Sequence, residues 1–151
     1  MRGIEALMRT VEQKLECIQR VISNSREHIR HGDSKRMYSQ YIRYALDEIS
    51  DLNFCTSIKA KGLKRKDVIH EHVVPHSIVM SKLLSLEPLN LESIMGILQK
   101  FYILCAITKD EDKLLNAAGF KSKMPEGWDE EIDSVFARYD SVGILICDDA
   151  R

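Results

Sequence analysis

The residues best suited to chemistry lie in one short stretch, residues 67–75, which reads Asp-Val-Ile-His-Glu-His-Val-Val-Pro. It holds two of the five histidines, His70 and His72, on either side of the acid Glu71. An imidazole can act as a general base near neutral pH, and a carboxylate can bind a hard divalent cation. The stretch therefore predicts a site for acid–base or metal chemistry, with His72 as its strongest candidate base.

A zinc-protease site is excluded by spacing. That motif needs two histidines four residues apart on a helix, and the residue four after His70 is Val74. His72 and His76 are four apart, but Pro75 between them argues against a helix interior. We expect His70 and His76 to lie at the surface or to support the site through hydrogen bonds, rather than to act as ligands.

The segment Glu71-His72-Val73-Val74-Pro75 resembles the first strand of the HNH, or ββα-metal, nucleases. In that family an acid or a histidine precedes a histidine and a hydrophobic-x-Pro ending. The resemblance implies that His72 is the general base and that a loop asparagine orients it. Asn90 is the candidate asparagine by position, although an asparagine there is more often the cap of the helix that follows.

The same resemblance implies a divalent cation, Mg²⁺ or Mn²⁺ rather than Zn²⁺, because the expected ligands are carboxylates. Glu71 would be one ligand, and Glu111 or Asp112 would be the other, where the family more often has His or Asn. The implied activity is hydrolysis of DNA phosphodiesters, or a relative that has lost cleavage. Glu111 follows Thr108 by three residues as in a capping box, and that structural role is the more common one for such a residue, although one carboxylate can serve both roles.

A basic cluster precedes this stretch. Residues 59–66 carry five cations and no anion: Lys59, Lys61, Lys64, Arg65 and Lys66. Such a cluster is either a solvated loop or a surface on which a DNA phosphate backbone lies.

The N-terminal third predicts two helices. Residues 4–29 carry apolar side chains at alternating spacings of four and three, and residues 35–53 repeat the pattern. Gly32 and the polar residues beside it separate the two segments. The pattern predicts an antiparallel helical hairpin within residues 1–56, and the same helices could form a homodimer.

The rest of the chain predicts a small mixed core over residues 67–147. Residues 68–74 and the apolar run 101–107 are expected to be strands, Thr108 to open a helix, and residues 130–140 to form the C-terminal helix. The predicted fold class is α+β, mostly α, in which the hairpin accompanies a two-stranded ββα-metal-like core. At 151 residues we expect a single domain, 1–151.

Composition and sequence patterns indicate the cellular compartment of the protein. The net charge is −1, and no apolar run approaches the length that crosses a bilayer. The N-terminus lacks the apolar segment of a secretory signal, and the four cysteines form no Cys-x-x-Cys pair. We expect a cytoplasmic protein without a membrane partner.

Two functions follow as hypotheses. The first is a divalent-metal-dependent HNH-like endonuclease that acts on DNA. The second is a non-catalytic interaction or inhibitor protein, of the kind found in phages and plasmids, that binds a protein partner through the helical hairpin.

Overall fold

The computed structural model of the chain describes residues 9–148. Within them it is an α+β fold with six α-helices and a three-stranded mixed sheet. Residues 4–8 of the first predicted helix, and residues 149–151 at the other end of the sequence, lie outside the described residues.

The chain divides into two compact units. Unit 1 contains the described residues of Met1–Ser50 together with Met80–Ile97. Unit 2 contains Asp51–Val79 and the described residues of Leu98–Arg151. Residues 80–97 thus group with the N-terminal helices, whereas the sequence placed them with the core.

Unit 1 begins with the helix α1, Val11–Arg30. Thr10 caps it in a capping box with Gln13, and Leu15, Ile18 and Ile22 are buried as their spacing predicts. The segment predicted as one helix over 35–53 is instead a short 3₁₀ helix, Lys35–Met37, followed by the helix α2, Ser39–Asp47. The prediction was wrong here because the Ser34 side chain accepts from the Arg36 N–H and starts a separate turn.

The sheet lies wholly in unit 2. Its strands are β1 (Phe54–Thr56), β2 (Val68–His72) and β3 (Leu104–Thr108), in the order β1-β3-β2. β2 and β3 are antiparallel, and β1 is parallel to β3. The two-stranded core predicted from the sequence is corrected to three strands, because β1 is too short to show the alternation that identifies a strand.

Four further helices complete the chain. They are α3 (His76–Leu84), α4 (Leu91–Phe101), α5 (Lys109–Ala117) and α6 (Ala137–Val142). The helix predicted over 130–140 begins only at Ala137, because Asp129 and Ser134 bind nearby backbone N–H groups and hold the preceding residues in turns. None of the helices in residues 9–148 is both long and apolar enough to pass through a membrane.

The core of unit 2 is the hydrophobic cluster between the sheet and the helices α5 and α6. It buries Cys55, Val73, Cys105, Ile107, Leu115, Tyr139, Ile144 and Ile146. Because successive side chains of a strand point to opposite faces, Ile69 and Glu71 of β2 lie on the side of this cluster, and Val73, directly after the strand, belongs to it. The candidate site is built on that alternation.

Candidate functional site on strand β2

Strand β2 separates the two central residues of the predicted site. Glu71 contacts Arg138 and Tyr139 of α6, on the core face of the sheet. His72 packs against the rings of His76 and Tyr102 instead. The Glu-His pair that is adjacent in sequence therefore forms two different environments.

Glu71 is held by two buried side chains. Its Oε2 accepts from Nη2 of Arg138 at 2.7 Å, and its Oε1 accepts from the Tyr139 hydroxyl at 2.5 Å. Arg138 is fully buried, and the Glu71 side chain is 13% exposed. Both carboxylate oxygens are thus engaged inside the fold.

Arg138 also donates hydrogen bonds to the backbone carbonyl oxygens of three residues. Its Nη1 donates to the carbonyl oxygens of His72 (2.8 Å) and Val73 (3.0 Å), and its Nε donates to the carbonyl oxygen of Phe120 (2.7 Å). A guanidinium offers five N–H donors and stays charged, so a buried arginine needs a set of acceptors like this one. Arg138 therefore fixes the end of β2 relative to α6.

The surroundings shift the titration of this cluster. Burial raises the pKa of the Glu71 carboxyl and the charge of Asp112 adds to the shift, whereas the hydrogen bonds from Arg138 and Tyr139 act in the opposite direction. Burial also raises the pKa of Tyr139 well above its ordinary value, and the neighbouring Glu71 adds to this. The Tyr139 hydroxyl consequently stays protonated and donates a hydrogen bond to Glu71.

His72 lies in a cluster of rings. Its ring centroid is 5.5 Å from that of His76 and 5.7 Å from that of Tyr102. Tyr102 is buried, and the Nε2 atoms of both histidines are buried as well. The structure thus brings His72 and His76 together, as a partly buried pair.

His70 is exposed and packs edge-on against Phe54, with 5.1 Å between the ring centroids. Desolvation and the positive charge of Arg65 lower its pKa. His70 is therefore favoured in the neutral form at the edge of the basic loop.

Glu111 has the structural role that its spacing from Thr108 allowed. Its Oε1 accepts from the Thr108 N–H at 2.9 Å, and the Thr108 hydroxyl accepts from the Glu111 N–H at 3.0 Å. The same Oε1 accepts from the hydroxyl of the fully buried Ser57 at 2.6 Å. Glu111 itself is 3% exposed, so its carboxylate joins the start of α5 to the end of β1.

The remaining predicted residues lie in separate places. Asn90 belongs to unit 1, where its Oδ1 accepts from the Ser93 N–H at 2.8 Å and caps α4. Asp112 lies in the first turn of α5, half-buried, and is near enough to Glu71 for its charge to act on that pKa. The basic residues Lys59, Lys61, Lys64, Arg65 and Lys66 are all exposed.

The predicted ligand set does not fit a divalent metal ion as it stands. Both oxygens of Glu71 are hydrogen-bonded to Arg138 and Tyr139, and Arg138 supplies the positive charge that a metal would supply. Glu111 is occupied by Thr108 and Ser57. Within residues 9–148, no group of three or more His, Cys, Asp or Glu side chains is placed to share a metal ion.

The structure also adds residues that the sequence reasoning did not select. Arg138 and Tyr139 were assigned to an ordinary C-terminal helix, and Ser57 to a connection. One signal was available for Arg138, which is a single cation within the otherwise apolar run of residues 135–139. Ser57 gives no such signal, because its importance comes from a contact with a residue 54 positions away.

A cavity of about 460 Å³ opens on unit 2 next to β1. It is lined by residues 52–55 together with Gln99, Ile103 and Phe136. Neither Glu71 nor His72 lines it, so the cavity gives the predicted site no substrate pocket.

Comparison of the chain with known protein families, with curated proteins and with solved structures finds no match. The short motif on β2 therefore stands without support from a relative.

Proposed function

We propose that the chain is a non-catalytic binding protein that contacts a protein partner through the helices α1 and α2. The observation that carries the proposal is an exposed apolar stripe formed by Met37, Tyr41 and Tyr44. These side chains are 52%, 66% and 60% exposed, respectively. Tyrosine and methionine are enriched in protein interfaces, and tyrosine is frequent among the residues that dominate binding.

The stripe borders a groove. Met37 and Tyr41 line a cavity of about 210 Å³ whose other wall is Val21, Asn24, Ser25 and His28 of α1. Tyr44 follows Tyr41 by three residues and so lies on the same side of α2. Another face of α2 is already used in the fold, where Ile42, Ala45 and Leu46 are buried.

We read α1 and α2 as the antiparallel hairpin expected from the sequence. The reading is supported by the ion pair between Arg9, just before α1, and Glu48, just after α2, at 3.0 Å. At the other end, Ser25 and His28 of α1 share the cavity with Tyr38 and Tyr41. A groove along two such helices suits an amphipathic helix of the partner.

The charges beside the stripe favour an acidic partner. Lys35, Arg36 and Arg43 are exposed near it. Of the acids in the same region, Asp33 binds His28 and Glu48 binds Arg9, which leaves the exposed Asp47 at the end of α2 against these three cations. A partner helix with carboxylates flanking its apolar face would match this pattern.

A photo-cross-linking benzoylphenylalanine tests the proposal. Placed at position 41 it is expected to capture a partner in cells that express the chain, and placed at position 132 it is not. Ile132 is the matched control because it is 82% exposed and lies in unit 2. Equal capture from both positions, or none from position 41, would contradict the proposal that the stripe binds a protein partner. A product of twice the chain mass would identify the partner as a second copy, the homodimer expected from the sequence.

A divalent-metal-dependent HNH-like DNA endonuclease is the second candidate. The observation that favours it is the order of elements, in which β2 and β3 are antiparallel and α5 follows β3 directly. His72 and the five exposed cations of residues 59–66 are the parts it would use. Its weakness is the engagement of Glu71 and Glu111 described above.

The nuclease candidate predicts that His72→Ala loses nicking of plasmid DNA in Mg²⁺ or Mn²⁺, whereas His70→Ala keeps it. His70 is the control because it lies on the same strand and is exposed. Nicking that survives in purified His72→Ala protein would remove His72 as the base. Calorimetric titration with Mg²⁺ and Mn²⁺ of wild type and Glu71→Ala checks the metal site separately.

We place the chain in the cytoplasm under either function. The four cysteines are free thiols, and three of them are buried, which is ordinary in a reducing compartment.

A further inference from the structure

The basic loop has no role in the proposed helical interface. Residues 58–66 lie in unit 2 and connect β1 to β2, and their five cations are exposed. No anion accompanies them between residues 57 and 66. Such a concentration of one charge sign attracts a polyanionic partner.

Hydrogen bonds hold this loop in a defined conformation. The Ser57 hydroxyl is anchored on Glu111 and accepts from the Ala60 N–H at 3.1 Å. The Ser57 carbonyl accepts from the N–H groups of Ala60 and Lys61, both at 3.1 Å. Ala60 is buried, so the cations are presented on an ordered turn rather than on a free linker.

Large aliphatic side chains are exposed among these cations. Ile58 is 54% exposed and Leu63 is 46% exposed, and both lie within the loop. Leu145, at 65% exposure, is adjacent to Ile58, because the Ile58 N–H donates to the Leu145 carbonyl at 2.8 Å. Apolar side chains rimmed by charge mark surfaces that bind proteins or membranes.

We infer that this loop binds the surface of an anionic lipid bilayer. The cations contact acidic headgroups, and Ile58, Leu63 and Leu145 enter the boundary between headgroups and acyl chains. Clusters of four to eight Lys and Arg residues are typical of such contacts. A peripheral contact of this kind needs no membrane-spanning helix. The inference differs from the expectation, drawn from the sequence, that the chain has no membrane partner.

The composition of the loop favours lipid over nucleic acid. Four of its five cations are lysines, and residues 57–66 contain no aromatic side chain on which a base could stack. The rings of His70 and Phe54, beside the loop, pack edge-on against each other. A phosphate backbone gives exposed aliphatic side chains nothing to bind, whereas a bilayer gives them an apolar layer.

Sedimentation with vesicles tests the inference. The chain is expected to bind phosphatidylcholine vesicles that contain phosphatidylserine, to release them as salt is raised, and to leave pure phosphatidylcholine vesicles unbound. Lys64→Glu/Lys66→Glu should weaken binding at least about 25-fold, since each cation near the surface contributes about fivefold. Leu63→Ser should weaken it about tenfold.

Two matched controls distinguish an effect of the loop from an effect of overall charge or surface hydrophobicity. Lys121→Glu/Lys123→Glu makes the same charge change at exposed positions of unit 2, and Ile132→Ser makes a similar apolar loss. Both should leave vesicle binding within about twofold of wild type. Equal losses in the two charge variants, or no preference for phosphatidylserine, would overturn the inference. Binding of duplex DNA that Leu63→Ser leaves unchanged, with no vesicle binding, would overturn it in favour of a nucleic-acid surface.

Discussion

Replacing Arg138 with Met is expected to lower the free energy of unfolding by about 3–5 kcal/mol, the usual cost of breaking a buried ion pair. The substitution leaves the partly buried Glu71 with Tyr139 as its remaining hydrogen-bond donor. It also removes the guanidinium from three backbone carbonyl oxygens, those of His72, Val73 and Phe120. Buried acceptors without donors add to the cost. Denaturant unfolding followed by circular dichroism measures the loss.

The exposed ion pair of Arg9 and Glu48 supplies the control. Arg9→Met makes the same side-chain change at a site where the arginine is 32% exposed and its partner 43% exposed. It is expected to cost at most about 1 kcal/mol. The double variant Glu71→Leu/Arg138→Met should regain part of the Arg138→Met loss, because no charge then stays buried. Equal stability of the two single variants would mean that Arg138 does not hold β2 to α6.

The Arg138 contacts bear directly on the choice between the two functions. If Glu71 bound a metal ion instead of Arg138, the buried guanidinium would lose its partner charge, and an unpaired buried charge is strongly destabilising. The contacts of Glu71 thus give it a structural role in the fold. A nuclease built on this site would require α6 to move away from β2, whereas a binding protein needs no rearrangement.

Local patterns predicted the helices well where the signal was local. The start of α5 followed from the spacing of Thr108 and Glu111, and the capping hydrogen bonds are present. Asn90 was expected to cap α4, and it does so. In both cases the side chain and the backbone group that it binds are three residues apart, so the sequence alone contains the whole interaction.

Long-range contacts were not predictable in the same way. β1 is three residues long and exists because it pairs with β3, about fifty residues later. Arg138 contacts Glu71 across 67 positions of the chain. The periodicity of apolar residues in a sequence does not show which distant segments pair. Pairing within a sheet can also override the strand propensity of a short segment.

The different surroundings of Glu71 and His72 follow from a local rule that the sequence alone allows one to apply. Residues of a strand alternate between its two faces, so Glu71 and His72 were bound to separate if β2 formed. The contacts agree with this alternation, because Glu71 binds Arg138 and Tyr139 whereas His72 packs against His76 and Tyr102. A site that uses both needs the strand to end or twist between them, and β2 continues through His72.

Replacing Glu111 with Ala is expected to lower the free energy of unfolding by about 2–4 kcal/mol. The capping box at the start of α5 contributes about 1 kcal/mol. The Ala variant also leaves the Thr108 N–H and the buried Ser57 hydroxyl without the oxygen to which they donate, at about 1–3 kcal/mol for a buried donor. Thermal and denaturant unfolding of the variant measure this loss.

Glu111→Gln distinguishes the structural role from a metal-ligand role. Its amide oxygen can replace Oε1 as the acceptor for Thr108 and Ser57, so we expect it to recover most of the stability that Ala loses. A metal ligand would behave in the opposite way, because an amide keeps the shape but loses the charge that binds the cation. Asp110→Ala, in the same first turn and exposed, is the control and should change stability by less than about 1 kcal/mol. If Gln and Ala prove equally destabilising, the negative charge of Glu111 matters more than its hydrogen bonds, and a cation at the start of α5 becomes the better explanation.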